Sequence, residues 1–196
     1  MKKRVGKEII IDGSYPITIR FFWEQYGKQR SGGLINGLLE KNDHSVDCDA
    51  SAYIIEENSG EAKACKCVNY EKLVSDDGSI VHGGDNKGDD AQNCVENIDI
   101  DFSKMSPETK AIVFTLDLLK EPKKQLKLGK LEHMRIDMIN SQTGDSIGEF
   151  SLIGIGERAI QVGTLVRQAE GWKYEPDVIE LKNVKTREEM FTNISI

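Results

Sequence analysis

Ile17, Ile19, Phe21 and Trp23 alternate with Thr18, Arg20 and Phe22, and a two-residue period of this kind puts one apolar face on a half-buried strand. Upstream, Glu8–Asp12 predicts its partner across a turn at Gly13-Ser14-Tyr15-Pro16. Residues 27–42 contain four glycines and read as a long loop with a helical turn at 34–40. Val46–Ile55 predicts a strand with Val46, Cys48 and Ala50 on one face, closed by a turn at Glu57-Asn58-Ser59-Gly60. Cys65–Leu73 predicts the next strand, ended by the turn signal Asp76-Asp77-Gly78. Ser79–His82 is a short extension, and residues 83–90 form a Gly-rich loop without an apolar side chain. Asn93–Phe102 alternates again. Ser106-Pro107-Glu108-Thr109 carries a helix-start signature, whereas Ala111–Leu119 is apolar and β-branched enough to be a buried strand. Further strands are expected at 131–140, 147–154, 158–169 and 171–175, and residues 176–196 read as a weaker tail with one amphipathic segment. Many short strands joined by turns predict an all-β (mainly β) fold, a two-sheet β-sandwich with one or two short helices.

Length and charge sharpen this reading. A chain of 196 residues can bury its own core without disulfides or a structural metal. The basic start, Met1-Lys2-Lys3-Arg4, is followed by an apolar run of only Ile9-Ile10-Ile11. That run is too short for a signal-peptide core, so the expected location is the cytoplasm. The cysteines, Cys48, Cys65, Cys67 and Cys94, then read as reduced. Cys65 and Cys67 with His82 or Cys94 would make a zinc site, but a lone C-x-C is weak evidence beside small buried hydrophobes on strands. The net charge is −7, yet the segment Asp43–Asp101 alone carries −11 and the remainder +4. Such a segment repels phosphate backbones, so no nucleic-acid partner is expected.

Carboxylates brought together need neutralising. Asp47, Asp49 and Ser51 share one face of the Val46–Ile55 strand, at roughly 7 Å between successive side chains. Asp85-Asn86 and Asp89-Asp90 lie in the glycine-flanked loop that can fold over that face. Five carboxylates, an amide and backbone carbonyls meet the oxygen demand of calcium, and an all-oxygen donor set favours calcium or magnesium over zinc, iron or copper. The loop does not fit the EF-hand pattern. Spacing alone leaves open whether these groups bind a cation or are simply an Asp-rich loop in water.

The order of several segments resembles one family. Val46-Asp-Cys-Asp-Ala-Ser-Ala-Tyr-Ile-Ile55 and Asp77-Gly-Ser-Ile-Val-His-Gly-Gly-Asp-Asn86, followed by Asp89-Asp90, are similar to the Asp strand and the GDN…DD loop of the TerD family of tellurium-resistance and general stress proteins. Val95–Pro107, Ile112–Phe114 and Gly171-Trp172-Lys173-Tyr174 continue the likeness. The resemblance implies a calcium-binding β-sandwich domain over residues 1–178 and a C-terminal tail over 179–196. Carried over position by position, it implies Asp47, Asp49, Asp85, Asn86, Asp89 and Asp90 as metal ligands. It also implies a non-enzymatic binding or scaffolding role in resistance to tellurite and other chemical stress, with other proteins of a stress-response complex as partners. Ser45 stands where the family has the first Asp of its strand, and Phe22-Trp23-Glu24 where it has Gly-Trp-Asp. Glu71-Lys72 replaces an Asn-Asn pair, and a Gly-Glu-Gly stretch before the Asp pair is missing. These departures favour one calcium site over two.

Catalysis has little to rest on. The three histidines, His44, His82 and His133, lie in no nucleophile motif, and His82 reads as a packing or turn residue. The alternative from another class is a calcium-dependent protein- or membrane-surface module with C2-like logic. Its basic patch would be Lys120, Lys123, Lys124, Lys127 and Lys130; membrane association is not expected, because most such runs are simply solvated.

Overall fold

The structure is a computed structural model; it describes residues 2–24, 47–58, 61–85, 94–120 and 127–196. The expected loop at 27–42 with its helical turn, and Asn86, Asp89 and Asp90, lie outside the described residues. The strands are β1 (Lys2–Arg4), β2 (Ile9–Ile11), β3 (Ile17–Glu24), β4 (Asp49–Asn58), β5 (Glu61–Val68), β6 (Ile80–His82) and β7 (Cys94–Ile100). They continue as β8 (Thr109–Asp117), β9 (Glu132–Asn140), β10 (Ser146–Ser151), β11 (Ala159–Arg167), β12 (Trp172–Glu175) and β13 (Asp177–Glu180), before helix α1 (Arg187–Asn193).

Two antiparallel sheets result. The larger runs β1-β13-β11-β8-β4-β5, with β12 also on β11 and β2 on β12; the smaller runs β10-β9-β3-β7-β6. The alternation read in β3 holds: Ile17, Ile19, Phe21 and Trp23 are buried between the sheets. Facing them are Ala50, Ala52 and Ile54 of β4 and Ile112, Phe114 and Leu116 of β8. The other parity of the same two strands, with Tyr53, Ile55, Ala111 and Val113, forms a second cluster with Leu181, Val184 and Met190. The chain after β13 therefore covers the outer face of the large sheet as a third layer. This explains why β8 is almost continuously apolar: it is covered on both sides.

Several local expectations shift. β5 begins at Glu61 and ends at Val68, because the Asn69 side chain accepts the N–H groups of Glu71 and Lys72 and diverts the backbone into a turn. The helix expected from Ser106 is absent from this described segment. A short 3-10 turn lies earlier, at Phe102–Lys104, capped by Asp101. Ser106 instead donates its N–H to Asp77 Oδ2, and the β-branched run enters the sheet from Thr109. The basic N-terminus is an edge strand, with Lys2 Nζ 2.9 Å from Asp177 Oδ2. The boundary expected at 178/179 falls inside β13, which pairs with both β1 and β11; Pro176 interrupts the ladder between β12 and β13 without ending the sheet.

The tail is secured by several kinds of contact. Thr186 caps α1 by accepting the Glu189 N–H, and the Glu189 carboxylate accepts the N–H of Lys185, one residue before the cap. Phe191 meets the Tyr53 ring edge-on at 5.0 Å. Gln161 and Ser195 exchange two hydrogen bonds, of 2.8 and 2.9 Å. Met190 is fully buried. Met190→Ala is therefore expected to lower unfolding free energy by about 2–5 kcal/mol, as for other truncations of a buried Met, measured by urea denaturation. A change under about 0.5 kcal/mol would show that the third layer contributes little.

Candidate metal centre

Asp49 is the first residue of β4, and strand alternation turns it, like Ser51 and Tyr53, to the outer face of the large sheet. Asp47 lies two residues earlier on the approach to β4. Asp85 reaches the same place from the other sheet: after β6 the chain turns at Gly84, whose φ of +98° suits glycine. One carboxylate oxygen from each of Asp47, Asp49 and Asp85 lies within 4.8 Å of the others. Three of the six residues expected from sequence are thus brought together. Asn86, Asp89 and Asp90 lie outside the described residues.

A cation already sits among them. Lys120 Nζ lies 3.3 Å from Asp47 Oδ2, 2.8 Å from Asp49 Oδ1 and 2.9 Å from Asp85 Oδ1. It also lies 3.5 Å from the centre of the Tyr70 ring. Lys120 was expected in a solvated surface patch, and the structure corrects this: three carboxylates and an aromatic face hold its ammonium inward. Burial lowers its pKa, but hydrogen bonds to Asp49 and Asp85 and their charge outweigh that and hold it above the ordinary lysine value.

Behind this cluster lies a second carboxylate. Asp117, at the end of β8, is the direct cross-strand partner of Asp49, and both side chains are fully buried. Like charges in that position repel. Arg187, at the start of α1, bridges them: Nη2 is 2.6 Å from Asp49 Oδ2 and 2.9 Å from Asp117 Oδ1, and Nε is 3.0 Å from Asp117 Oδ2. Its Nη1 donates to the Tyr70 hydroxyl at 2.7 Å. Asp49 is thus shared, one oxygen on Lys120 and the other on Arg187.

The two cations do not fully offset the burial. Burial pushes the Asp49 carboxyl up to about 7, against Lys120 and Arg187, and the neighbouring Asp117 and Asp47 add to the rise. Asp47 is raised chiefly by burial, with Lys120 opposing. Asp117 is raised by burial, with Arg187 opposing. Asp47 Oδ1 is buried without a hydrogen-bond partner among the described residues.

A further carboxylate ties the two arms of the site together. Glu96 projects from β7 between the sheets; its Oε2 accepts the Ala50 N–H at 2.6 Å and lies 3.3 Å from His82 Nε2. His82 Nδ1 accepts the Gly84 N–H at 3.1 Å, which places the proton of a neutral ring on Nε2, toward Glu96. Glu96 thus holds the β4 strand that carries Asp49 and His82 holds the turn that carries Asp85; the two side chains lie against each other, with His82 Nε2 and Glu96 Oε1 lacking a hydrogen-bond partner among the described residues. His82 is engaged as a turn residue, as its position suggests.

Sequence reading missed Asp117, Glu96, Tyr70 and Arg187. Two of them left a signal. Asp117 is the lone carboxylate in an otherwise apolar run, and Glu96 shares the inward parity of Ile98 and Ile100. Tyr70 and Arg187 left none. Cys48, between Asp47 and Asp49 in the chain, is buried in the apolar core between the sheets; Cys65 is exposed, and Cys67 is half-buried, with burial as the main cause of a thiol pKa pushed up to about 12.

The chain matches the description "TerD domain" over residues 16–176. It is 25% identical over 130 residues to the tellurium resistance protein TerD of Serratia marcescens, covering 65% of this chain and 68% of that one. It is 24% identical over 134 residues to general stress protein 16U of Bacillus subtilis, covering 67% and 69%. Among solved structures it is similar to a TerD homologue from Streptomyces coelicolor A3(2), with a TM-score of 0.63 and 13% identity over 91% of this chain and 95% of that one. It is also similar to SAV2460, a protein of unknown function, with a TM-score of 0.68 and 16% identity over 92% and 96%.

The raised Asp49 carboxyl fixes the sign of a pH effect. Its folded value of about 7 lies above the ordinary 3.8, so the folded state holds a proton that the unfolded chain releases. Its contribution to stability is present in full below about pH 4 and is lost as pH rises through about 7. In chelator, the urea midpoint of the wild type is expected to fall between pH 5 and 8, and Asp49→Asn should flatten that fall. Identical profiles would show that Asp49 does not titrate in this range.

Proposed function

The chain belongs to the TerD domain family, and we propose that it is a calcium-binding, non-catalytic stress-response protein acting in the cytoplasm. The observation that carries this reading is the convergence of Asp47, Asp49 and Asp85 around a single cation position. Residues from two sheets place carboxylate oxygens within 4.8 Å of one another, and that position attracts even a tethered ammonium. An all-oxygen, net-negative donor set is the chemistry of a hard dication. The buried Asp47 oxygen that lacks a partner among the described residues fits the same reading, since metal coordination would satisfy it. Asn86, Asp89 and Asp90 are the further ligands that the family resemblance adds. Calcium bound there would join the Asp strand to the loop after β6.

The non-catalytic part of the proposal rests on the surroundings. Among the described residues, His82 is the imidazole beside the cluster; it is buried, accepts the Gly84 N–H and lies against Glu96. Lys120 and Arg187 are both engaged by the carboxylates of the cluster and of Asp117. The stress-response role, including resistance to tellurite, follows from the names of the relatives, and other proteins of a stress-response complex are the partners it implies. Of the basic patch that would help membrane docking, Lys120 faces the carboxylate cluster instead, and Lys123 and Lys124 lie outside the described residues. Among the described residues no helix is long and apolar enough to cross a membrane.

Calorimetry on chelator-treated protein tests the reading directly. Calcium at a hundredfold excess over its dissociation constant is expected to stabilise the native state by about 2.7 kcal/mol, raising Tm by about 5–10 °C. Magnesium should do much less, since it demands tighter octahedral geometry and keeps its waters. The double change Asp47→Asn and Asp49→Asn should abolish the effect while the protein stays folded. A melting curve that does not move between millimolar calcium and excess chelator would sink the proposal.

Lys120 makes a separate prediction. Its ammonium occupies the oxygens that the metal needs, so calcium must displace it. Lys120→Met is expected to bind calcium at least about tenfold tighter, the scale of one close charge in a partly buried site. Unchanged or weaker binding would mean that the metal and the ammonium do not share a position.

A further inference from the structure

The residues that answer the buried charge of this site come from two places, and one of them lies beyond the family match, which ends at residue 176. Arg187 opens α1 in the C-terminal tail. It touches neither Asp47 nor Asp85 in any contact seen here. Its guanidinium takes Asp49 Oδ2 and both oxygens of Asp117, while Lys120 takes Asp49 Oδ1. We infer that Arg187 is an affinity-setting residue of the cation site, and that docking of the tail and binding of a divalent cation compete for Asp49. The inference rests on the calcium reading above.

The physical reason is the sharing of one carboxylate. Exchanging Lys120 for a calcium ion replaces one positive charge by two on the Oδ1 side of Asp49. The guanidinium on the Oδ2 side then faces a stronger like charge across a single buried group, and Asp49 has less negative charge left to offer it. By linkage, whatever calcium does to the hold of the tail, the docked tail does to calcium affinity. The sign is therefore antagonistic in both directions. Asp117 remains with Arg187 in either state, so calcium loosens the tail rather than expelling it.

The tail has the construction of a segment that can let go. Beneath it the outer face of the large sheet is mixed: Tyr53 and Val113 are apolar, but Ser51 Oγ and Thr115 Oγ1 are buried without hydrogen-bond partners among the described residues. Polar atoms sealed without partners weaken a docked surface. The far end is held by the reversible Gln161–Ser195 pair. Tyr70, whose ring faces both Lys120 and Arg187, links the two cations in space.

Two variants and one measurement on the unaltered protein test this. Calcium affinity by calorimetry is expected to rise roughly three- to tenfold in Arg187→Gln, the scale of removing one charge near a partly buried site, and to stay within about twofold of wild type in Arg187→Lys. A purely structural role would weaken binding in both variants, and that result, or unchanged affinity in Arg187→Gln, would overturn the inference. In the wild type, hydrogen exchange should show the Ile194 and Ser195 amides losing protection when calcium is added, while Phe114 in the core does not. Tail amides that gain protection or do not change, in protein that calorimetry shows to be loaded, overturn the inference and leave the calcium reading intact. Wild-type protein that binds no calcium overturns the reading itself, and the coupling with it.

Discussion

Two buried carboxylates facing each other across neighbouring strands set the terms for the rest of this structure. Asp49 and Asp117 are a direct cross-strand pair, both fully buried, in a position where a native sheet ordinarily places apolar or opposite-charge partners. Isolated buried charge is costly enough that it must be paired or protonated. Lys120 and Arg187 provide the pairing, and Tyr70 presents its ring to both. The end of the sandwich that carries the site is thus organised by electrostatics, whereas the middle is organised by apolar alternation.

The same constraint explains why so many separate segments meet there. Asp49 opens β4 of the large sheet, Asp47 lies just before it and Asp85 just after β6 of the small sheet, so the cluster exists only while the two sheets keep their relative position. Glu96 maintains that position from inside, bonding the backbone of β4 and facing the imidazole that supports the Gly84 turn. A buried polar network of this kind is costly when half-satisfied and restrictive when complete. Here it aligns two arms that share no strand pairing.

The third layer gives the C-terminal segment of this chain two roles. The tail carries enough apolar surface in Leu181, Val184 and Met190 to cover Tyr53 and Val113, yet its first helical residue is committed to the carboxylate pair. Packing and charge therefore act on the same segment.

Much of the fold was legible in the chain. The alternation of Ile17, Ile19, Phe21 and Trp23, the apolar run from Ala111 and the Asp-Gly turn at 77–78 are local patterns, and local patterns report which face of a strand is buried. The likeness in segment order led to the family and to Asp47, Asp49 and Asp85. Other features were decided only by tertiary structure. Ser106-Pro107 carries a local helix signal, but Asp77 and the β8 ladder outcompete it there. Lys120 looks solvated in sequence because it opens a Lys-rich polar stretch; the carboxylates that hold it lie 73, 71 and 35 residues away. Arg187 is one of three bases in the tail, beside Lys182 and Lys185, and only the folding of that tail over the large sheet brings it to Asp49 and Asp117. Periodicity records burial, which each residue carries along its own strand. The pairing of charges is a property of two distant segments at once, and it becomes visible only when the fold puts them together.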